Sequence, residues 1–157
     1  MSKPVSPIPQ GMHTLTPHLI CEGAADAIDY YVEAFGAVEQ ARLAAPNGLL
    51  MHAMLKIGDS SLMLADAMPE CGSKGAKALN GSPVYLHLYV EDVDAVFDRA
   101  VKAGGKVIMP PQDMFWGDRY GQIEDPSGHK WSLATHKEDL TDEEIAERAA
   151  AFTASAK

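Results

Sequence analysis

The stretch HLICEGAADAIDYYVEAFGAV at residues 18–38 returns in altered form as HLYVEDVDAVFDRAVKAGGKV at residues 87–107. The two halves align without a gap as far as residue 66 of the first half. Identical residues fall at His18/His87, Leu19/Leu88, Glu22/Glu91, Asp29/Asp98, Val32/Val101, Ala34/Ala103, Gly36/Gly105, Val38/Val107, Gly48/Gly117, Leu64/Leu133 and Ala65/Ala134. Unrelated segments of ordinary composition would share about three or four. We therefore interpret the chain as an internal duplication.

Each half begins with a strand pattern and continues as a helix. In LTPHLI, alternation places Leu15 and Leu19 on one face of a strand and His18 on the other. The first predicted helix covers residues 24–35 and ends at Gly36. Its predicted apolar stripe is Ala25, Ile28, Val32 and Phe35. The second predicted helix has Asp92 as its N-cap, ends at Gly104-Gly105, and carries the stripe Val93, Val96, Phe97, Ala100 and Val101.

Three short strand patterns follow each helix. They are residues near 38–44, LLMHAMLKI and SLMLAD in the first half, and KVIMP, RYGQIE and HKWSLAT in the second. The predicted fold class is α+β, with two tandem βαβββ modules. One helix covers only one face of a four-stranded sheet, so the free faces are expected to surround a shared cleft, within one chain or between two chains.

The predicted boundaries place a domain at residues 12–137 between two simpler ends. Module one is 12–67, the connector is 68–83 and module two is 84–137. Residues 1–11 are rich in proline and are predicted to form an extended arm. Residues 138–157 are predicted to form a helical tail with Thr141 and Glu144 as a capping box.

Composition excludes several classes of function. The chain has 157 residues and a formal net charge of −9, which argues against nucleic acid and anionic membranes as partners. No apolar run is long enough to span a bilayer, and the N-terminus lacks the apolar segment of a secretory signal. Cys21 and Cys71 have neither metal nor redox spacing. A cytoplasmic location is therefore predicted.

The duplicated pattern resembles the vicinal oxygen chelate superfamily, which includes glyoxalase I, extradiol dioxygenases and bleomycin-resistance proteins. Within it the chain is similar to the PhnB-like subgroup. The likeness rests on TPHLICEGAADAIDYYVEAFGA, MHAMLKIGDSSLMLAD and the segment from HLYVEDVDAVFDRA to DPSGHKWSLATH, which cover most of residues 12–137. The resemblance implies a U-shaped mixed sheet with a ligand cleft on its concave face, helices on the outer face, and a homodimer.

The resemblance also implies positions for a divalent metal, and this chain departs from them. The corresponding residues are Thr16, Tyr85 and Ser132, with Met54 at a middle-strand position that is often acidic. None of these is a usual catalytic metal ligand. No cofactor is therefore favoured, and Zn, Ni, Mn or Fe would be the candidate ion if the protein were an enzyme.

Three histidines are predicted to lie in the cleft. His18 and His87 occupy equivalent positions in the two halves, and His52 lies on a middle strand opposite Ala53 and Leu55. Three imidazoles that converge would bind a metal ion. The alternative is that they line the cleft and form hydrogen bonds with a ligand, with water or with one another.

The segment DMFWGDRYG at residues 113–121 supplies the remaining candidates for ligand binding. Trp116 and Tyr120 offer flat surfaces for stacking, and Arg119 is a bidentate donor for a carboxylate or phosphate. The structural alternatives are that Trp116 closes the end of the sheet and that Asp118 pairs with Arg119.

Two functional hypotheses follow. The first is a small-molecule-binding protein of the glyoxalase/bleomycin-resistance type. The second is a divalent-metal-dependent lyase, isomerase or dioxygenase-like enzyme of the same superfamily, acting next to a carbonyl, with Glu124 as the candidate acid-base residue. The absence of the usual ligands at Thr16, Tyr85 and Ser132 favours the first.

Overall fold

The computed structural model describes residues 3–156. The predicted arm and tail therefore each extend beyond the described residues, by residues 1 and 2 and by Lys157. Residues 3–17 form neither helix nor strand. The elements in chain order are β1 (His18–Cys21), α1 (Ala24–Phe35), β2 (Val38–Ala44), β3 (Leu50–Ile57), β4 (Ser60–Asp66), a short 3-10 turn (Pro69–Cys71), β5 (Tyr85–Tyr89), α2 (Val93–Lys102), β6 (Lys106–Asp113), β7 (Asp118–Glu124), β8 (Lys130–His136) and α3 (Asp142–Ser155).

The strands form two sheets with the same connectivity. The first sheet has the order β1-β4-β3-β2 and the second has the order β5-β8-β7-β6. In each sheet the first and last strands of the module pair in parallel, and the other neighbours are antiparallel. The α+β prediction of two tandem βαβββ modules is confirmed.

The ends of the helices follow local sequence signals. Gly36 ends α1 in the left-handed conformation at φ 67°, which a residue with a Cβ rarely adopts. The Asp92 side chain accepts a hydrogen bond from the Ala95 N–H at the start of α2. Thr141 and Glu144 form the predicted capping box of α3. These helix termini are determined by residues within a few positions of each other.

Two predictions about buried faces are wrong. Leu15 is 87% exposed and lies before β1, so it packs on no sheet. Ala25 and Val32 are exposed on α1, whereas Tyr31 is fully buried. Tyr31 is buried because it packs against module two, where its hydroxyl donates to Asp125 and its ring contacts Trp131.

One hydrophobic core joins the two modules. The buried side chains of both helices and both sheets form a single cluster. Across the module boundary, the Tyr30 hydroxyl donates to the Ala100 carbonyl at 3.0 Å, and Arg99 Nε donates to the Ala34 carbonyl at 3.1 Å. Both contacts lie on the helix-bearing side of the sheets, so the opposite faces are left without a helix.

Candidate functional site

The candidate site lies on the helix-free face of the second sheet. On β7, Gly121 faces α2, since a Cβ there would lie 3.0 Å from the Phe97 ring. Strand alternation therefore directs Tyr120, Gln122 and Glu124 away from α2. The same face carries Tyr85, His87 and Tyr89 on β5, and Lys130 and Ser132 on β8.

Four rings pack together on this face and in the adjoining loop. We call His87, Tyr89, Trp116 and Tyr120 the ring cluster. The His87 ring stacks near Tyr120, with centroids 5.9 Å apart and an interplanar angle of 22°, and meets Tyr89 edge-on at 4.6 Å. Trp116 meets Tyr120 edge-on at 5.3 Å. The cluster therefore presents both ring faces and ring edges to a molecule that binds on the sheet.

Neighbouring polar groups hold the rings in position. His87 Nδ1 and Ser132 Oγ share a hydrogen bond of 2.6 Å. Gln122 Nε2 donates to the Tyr120 hydroxyl at 2.9 Å. Among the described residues, 3–156, His87 Nε2 has no hydrogen-bond partner and can meet a ligand. Both bonds fix ring orientation before a ligand arrives.

Asp118 is the anchor of the cluster. This carboxylate is 4% exposed and accepts hydrogen bonds from Trp116 Nε1 and the Tyr89 hydroxyl, each at 3.1 Å, and from His136 Nδ1 at 2.8 Å. Desolvation, and then the hydrogen bond to Asp118, raise the pKa of Tyr89. Tyr89 therefore remains a protonated donor at neutral pH.

Sequence reasoning missed several members of this arrangement. Tyr89 lies two residues after His87 on the same strand, so strand alternation alone would have placed it on the same face. The sequence suggests for Asp118 only a pairing with its neighbour Arg119. Its actual donors come from β5, the β6–β7 loop and β8, and a pattern along the chain does not show such long-range contacts.

Arg119 lies on the opposite face of the sheet. Its Nε and second terminal nitrogen donate to the Asp94 carboxylate of α2 at 2.6 and 2.9 Å, and its first terminal nitrogen donates to Asp113 at 3.3 Å. These hydrogen bonds raise the pKa of Arg119 and lower that of Asp94. The expectation that Arg119 faces the ligand cleft with Tyr120 is therefore corrected: adjacent residues on a strand point to opposite faces.

The remaining predicted site residues fall into two groups. His18 and His52 share the helix-free face of the first sheet, with ring centroids 6.4 Å apart. His87 lies on the second sheet with the ring cluster, and Glu124 lies on the same face as Tyr120. His18 and His87 are exposed in the single chain, so the cleft expected around them is not enclosed by one chain alone.

The donor set does not fit a catalytic metal ion. Within residues 3–156, no group of three His, Cys, Asp or Glu side chains is placed to hold one. At the positions that the resemblance implies, Ser132 is already bonded to His87, and Tyr85 offers a phenol.

Comparison with known proteins establishes the family. A model described as the Glyoxalase/Bleomycin resistance protein/Dioxygenase superfamily matches residues 12–133, and the chain belongs to this superfamily. An uncharacterized protein of Mycobacterium bovis is 48% identical over 134 residues, covering 83% of this chain and 88% of that protein.

Solved structures share the fold. The crystal structure of TioX from Micromonospora sp. ML1 has a TM-score of 0.62 and 28% identity, covering 79% of this chain and 98% of that one. A PhnB protein from Bacillus cereus has the same TM-score of 0.62 at 18% identity, covering 78% and 99%, and shares the fold alone. No helix within residues 3–156 has the length and apolar character needed to cross a membrane.

Proposed function

We propose that this protein binds a small planar organic molecule on the ring cluster and acts as a binding protein of the glyoxalase/bleomycin-resistance type. The observation that carries the proposal is that three rings are held by neighbouring side chains: His87 by Ser132, Tyr120 by Gln122, and Trp116 by Asp118. Rings whose rotamers are already restrained lose little entropy when a flat ligand stacks on them.

The chemistry of the face favours binding over catalysis. The Ser132 hydroxyl and the Gln122 amide are engaged with ring partners, and no set of three metal-ligating side chains accompanies them within residues 3–156. Glu124 lies on the same face, one strand repeat, about 7 Å, from the row of His87 and two repeats, about 13 Å, from Tyr120. In the strand register it lies between Lys106 and Lys130 rather than among the rings.

We further propose that the protein acts as a homodimer, with a second copy covering the helix-free faces. Tyr85, Tyr89 and Leu43 are 42%, 60% and 56% exposed, and Leu43 pairs with His52 on the first sheet. Large exposed apolar side chains on one surface are typical of an interface. A second copy would also shield His18 and His87 from bulk water.

Two finer assignments are part of the same proposal. The PhnB-like subgroup is supported by the sequence likeness of the segments between residues 16 and 136. A cytoplasmic location is supported by Cys21 and Cys71, which are both free thiols.

The binding proposal is tested with phenylnaphthylamine, an uncharged aromatic probe whose fluorescence rises when it binds. The expected result is saturable binding that quenches Trp116, with affinity reduced about three- to tenfold in Tyr120→Ala because a stacking surface is lost. Val32→Ala, an exposed apolar residue on α1, is the control and should bind as the wild type does.

Two outcomes would contradict the proposal. One is equal binding of the probe by wild type and Tyr120→Ala. The other is stoichiometric metal in elemental analysis of the purified protein together with turnover, which would favour the metal-dependent enzyme.

A further inference from the structure

A row of charged side chains crosses one end of the helix-free face of the second sheet. In the strand register Tyr85 pairs with Lys130, Lys130 with Glu124, and Glu124 with Lys106. The next row on the same face contains His87 and its neighbours, two residues further along each strand. The two rows are therefore about 7 Å apart, which is within the length of one aromatic ligand.

Glu124 lies between the two lysines in the register, but neither lysine forms an ion pair with it. Arg42, Arg119, Arg148 and Lys102 form ion pairs with carboxylates, whereas Lys106 and Lys130 form none within residues 3–156. Lys130 Nζ instead lies 5.6 Å from the centroid of the Tyr85 ring. This cation–π contact holds the ammonium on the ligand-facing side of the sheet.

A depression of about 460 Å³ adjoins the lysines. Lys77 lines it from the connector, together with Lys106 and Lys130. The acids at this cavity are Glu124 and Asp125, and Asp125 is turned inward, where it accepts hydrogen bonds from Tyr31 and Trp131. Three lysines and the Glu124 carboxylate thus line one depression of a chain whose net charge is −9.

We propose that Lys130 and Lys106 form an anion subsite, and that the ligand of this protein is a planar aromatic compound carrying an oxyanion such as a carboxylate, sulfonate or phosphate. The ring system lies on the ring cluster and the oxyanion meets the ammonium groups one row away. This inference rests on the proposed binding function and specifies its class of ligand. The sequence predicts that Arg119 binds an anionic group of the ligand. Because Arg119 lies on the other face, the inference gives this role to Lys106 and Lys130.

The test compares two fluorescent probes that differ in charge. Anilinonaphthalene sulfonate has the ring system of phenylnaphthylamine with an added sulfonate. In Lys106→Gln/Lys130→Gln the Kd of the sulfonate is expected to rise about tenfold, because two charge-assisted contacts are lost. The Kd of the uncharged probe should stay within about twofold. Raising the NaCl concentration should weaken the sulfonate alone.

Matched variants separate a local subsite from a general charge effect. Lys74→Gln/Lys102→Gln removes the same net charge from other surfaces and should leave both Kd values unchanged. Lys130→Arg keeps the charge and should retain sulfonate binding. Thermal unfolding of each variant establishes that it is folded.

The outcomes distinguish the inference from the proposal beneath it. If sulfonate binding is the same in wild type and Lys106→Gln/Lys130→Gln while Tyr120→Ala still weakens the uncharged probe, the anion subsite is wrong and the binding function stands. If Tyr120→Ala weakens neither probe, the binding function itself is wrong. An equal loss of sulfonate binding in the two double-lysine variants would also overturn the subsite.

Discussion

At the scale of single residues, Asp125 joins the two modules. This carboxylate is 4% exposed and accepts hydrogen bonds from the Tyr31 hydroxyl of module one and from Trp131 Nε1 of module two at 2.8 Å. It also accepts from the backbone N–H groups of Ser127 and His129 in its own turn. Burial, and then the neighbouring Asp125, hold the pKa of Tyr31 well above its ordinary value. The phenol therefore stays a donor.

Replacing this carboxylate should destabilise the fold. Asp125→Ala leaves the buried Tyr31 hydroxyl and Trp131 N–H without their acceptor, and we expect the free energy of unfolding to fall by about 3 kcal/mol. Urea denaturation measures the change. Asp59→Ala, in the exposed turn between β3 and β4, is the control and should change stability by less than about 0.5 kcal/mol. A loss below about 1 kcal/mol for Asp125→Ala would show that water replaces the carboxylate.

At the scale of secondary-structure elements, α3 is attached to the domain by few contacts. None of its residues is buried. From the helix, Phe152 packs on Phe115 at 5.4 Å between ring centroids, and Arg148 pairs with Glu138 in the segment before α3. Asp139 of the same segment pairs with His136, which also pairs with Asp118. Phe115 in turn touches Trp116 of the ring cluster. The tail therefore lies next to the candidate site.

The His136 bridge makes stability depend on pH. Hydrogen bonds to Asp139 and then Asp118 raise the pKa of His136 above its ordinary value of 6.5. Because the folded state favours the protonated ring, this stabilisation is fully present below pH 6.5 and is lost as pH rises through the elevated pKa. The difference in Tm between wild type and His136→Gln should therefore be larger at pH 5.5 than at pH 8.5.

The control for this prediction is His13→Gln, which removes an exposed histidine before β1. Its difference in Tm from the wild type should not change over the same pH range. If the His136→Gln difference were as large at pH 8.5 as at pH 5.5, the neutral imidazole would account for the contact, and the charge would contribute nothing.

Sequence patterns predicted the elements better than the faces they bury. The bounds of α1 and β2 agree with the predicted 24–35 and 38–44, and most other strands begin or end within one or two residues of their predicted positions. Glycine stops and N-caps act locally, which explains this agreement. The buried face of α1 differs from the predicted stripe because Tyr31 is held by Asp125, a residue 94 positions away.

At the scale of the whole molecule, the helix-free faces are uncovered in the single chain. Light scattering should give a mass of twice 16.9 kDa, because a second copy would bury the exposed apolar side chains. Leu43→Glu places a charge on the helix-free face of the first sheet and is expected to shift the mass towards that of one chain.

Val32→Glu is the matched control for the dimer, since Val32 is an exposed apolar residue on α1. It should leave the mass unchanged. A single-chain mass for the wild type at micromolar concentration would overturn the homodimer, and loss of the dimer in the control alone would move the interface to the helices.

The amino-acid sequence by itself determined the duplicated modules, the helix ends and the pairing of His18 with His87 as equivalent positions. These features depend on alternation, helical periodicity and capping, which act over a few residues. Only the tertiary structure decided that Arg119 pairs with α2, that Asp118 anchors the ring cluster, and that Lys106 and Lys130 share one row. Those contacts join strands that are distant in the chain, and their register is set by the packing of the whole sheet.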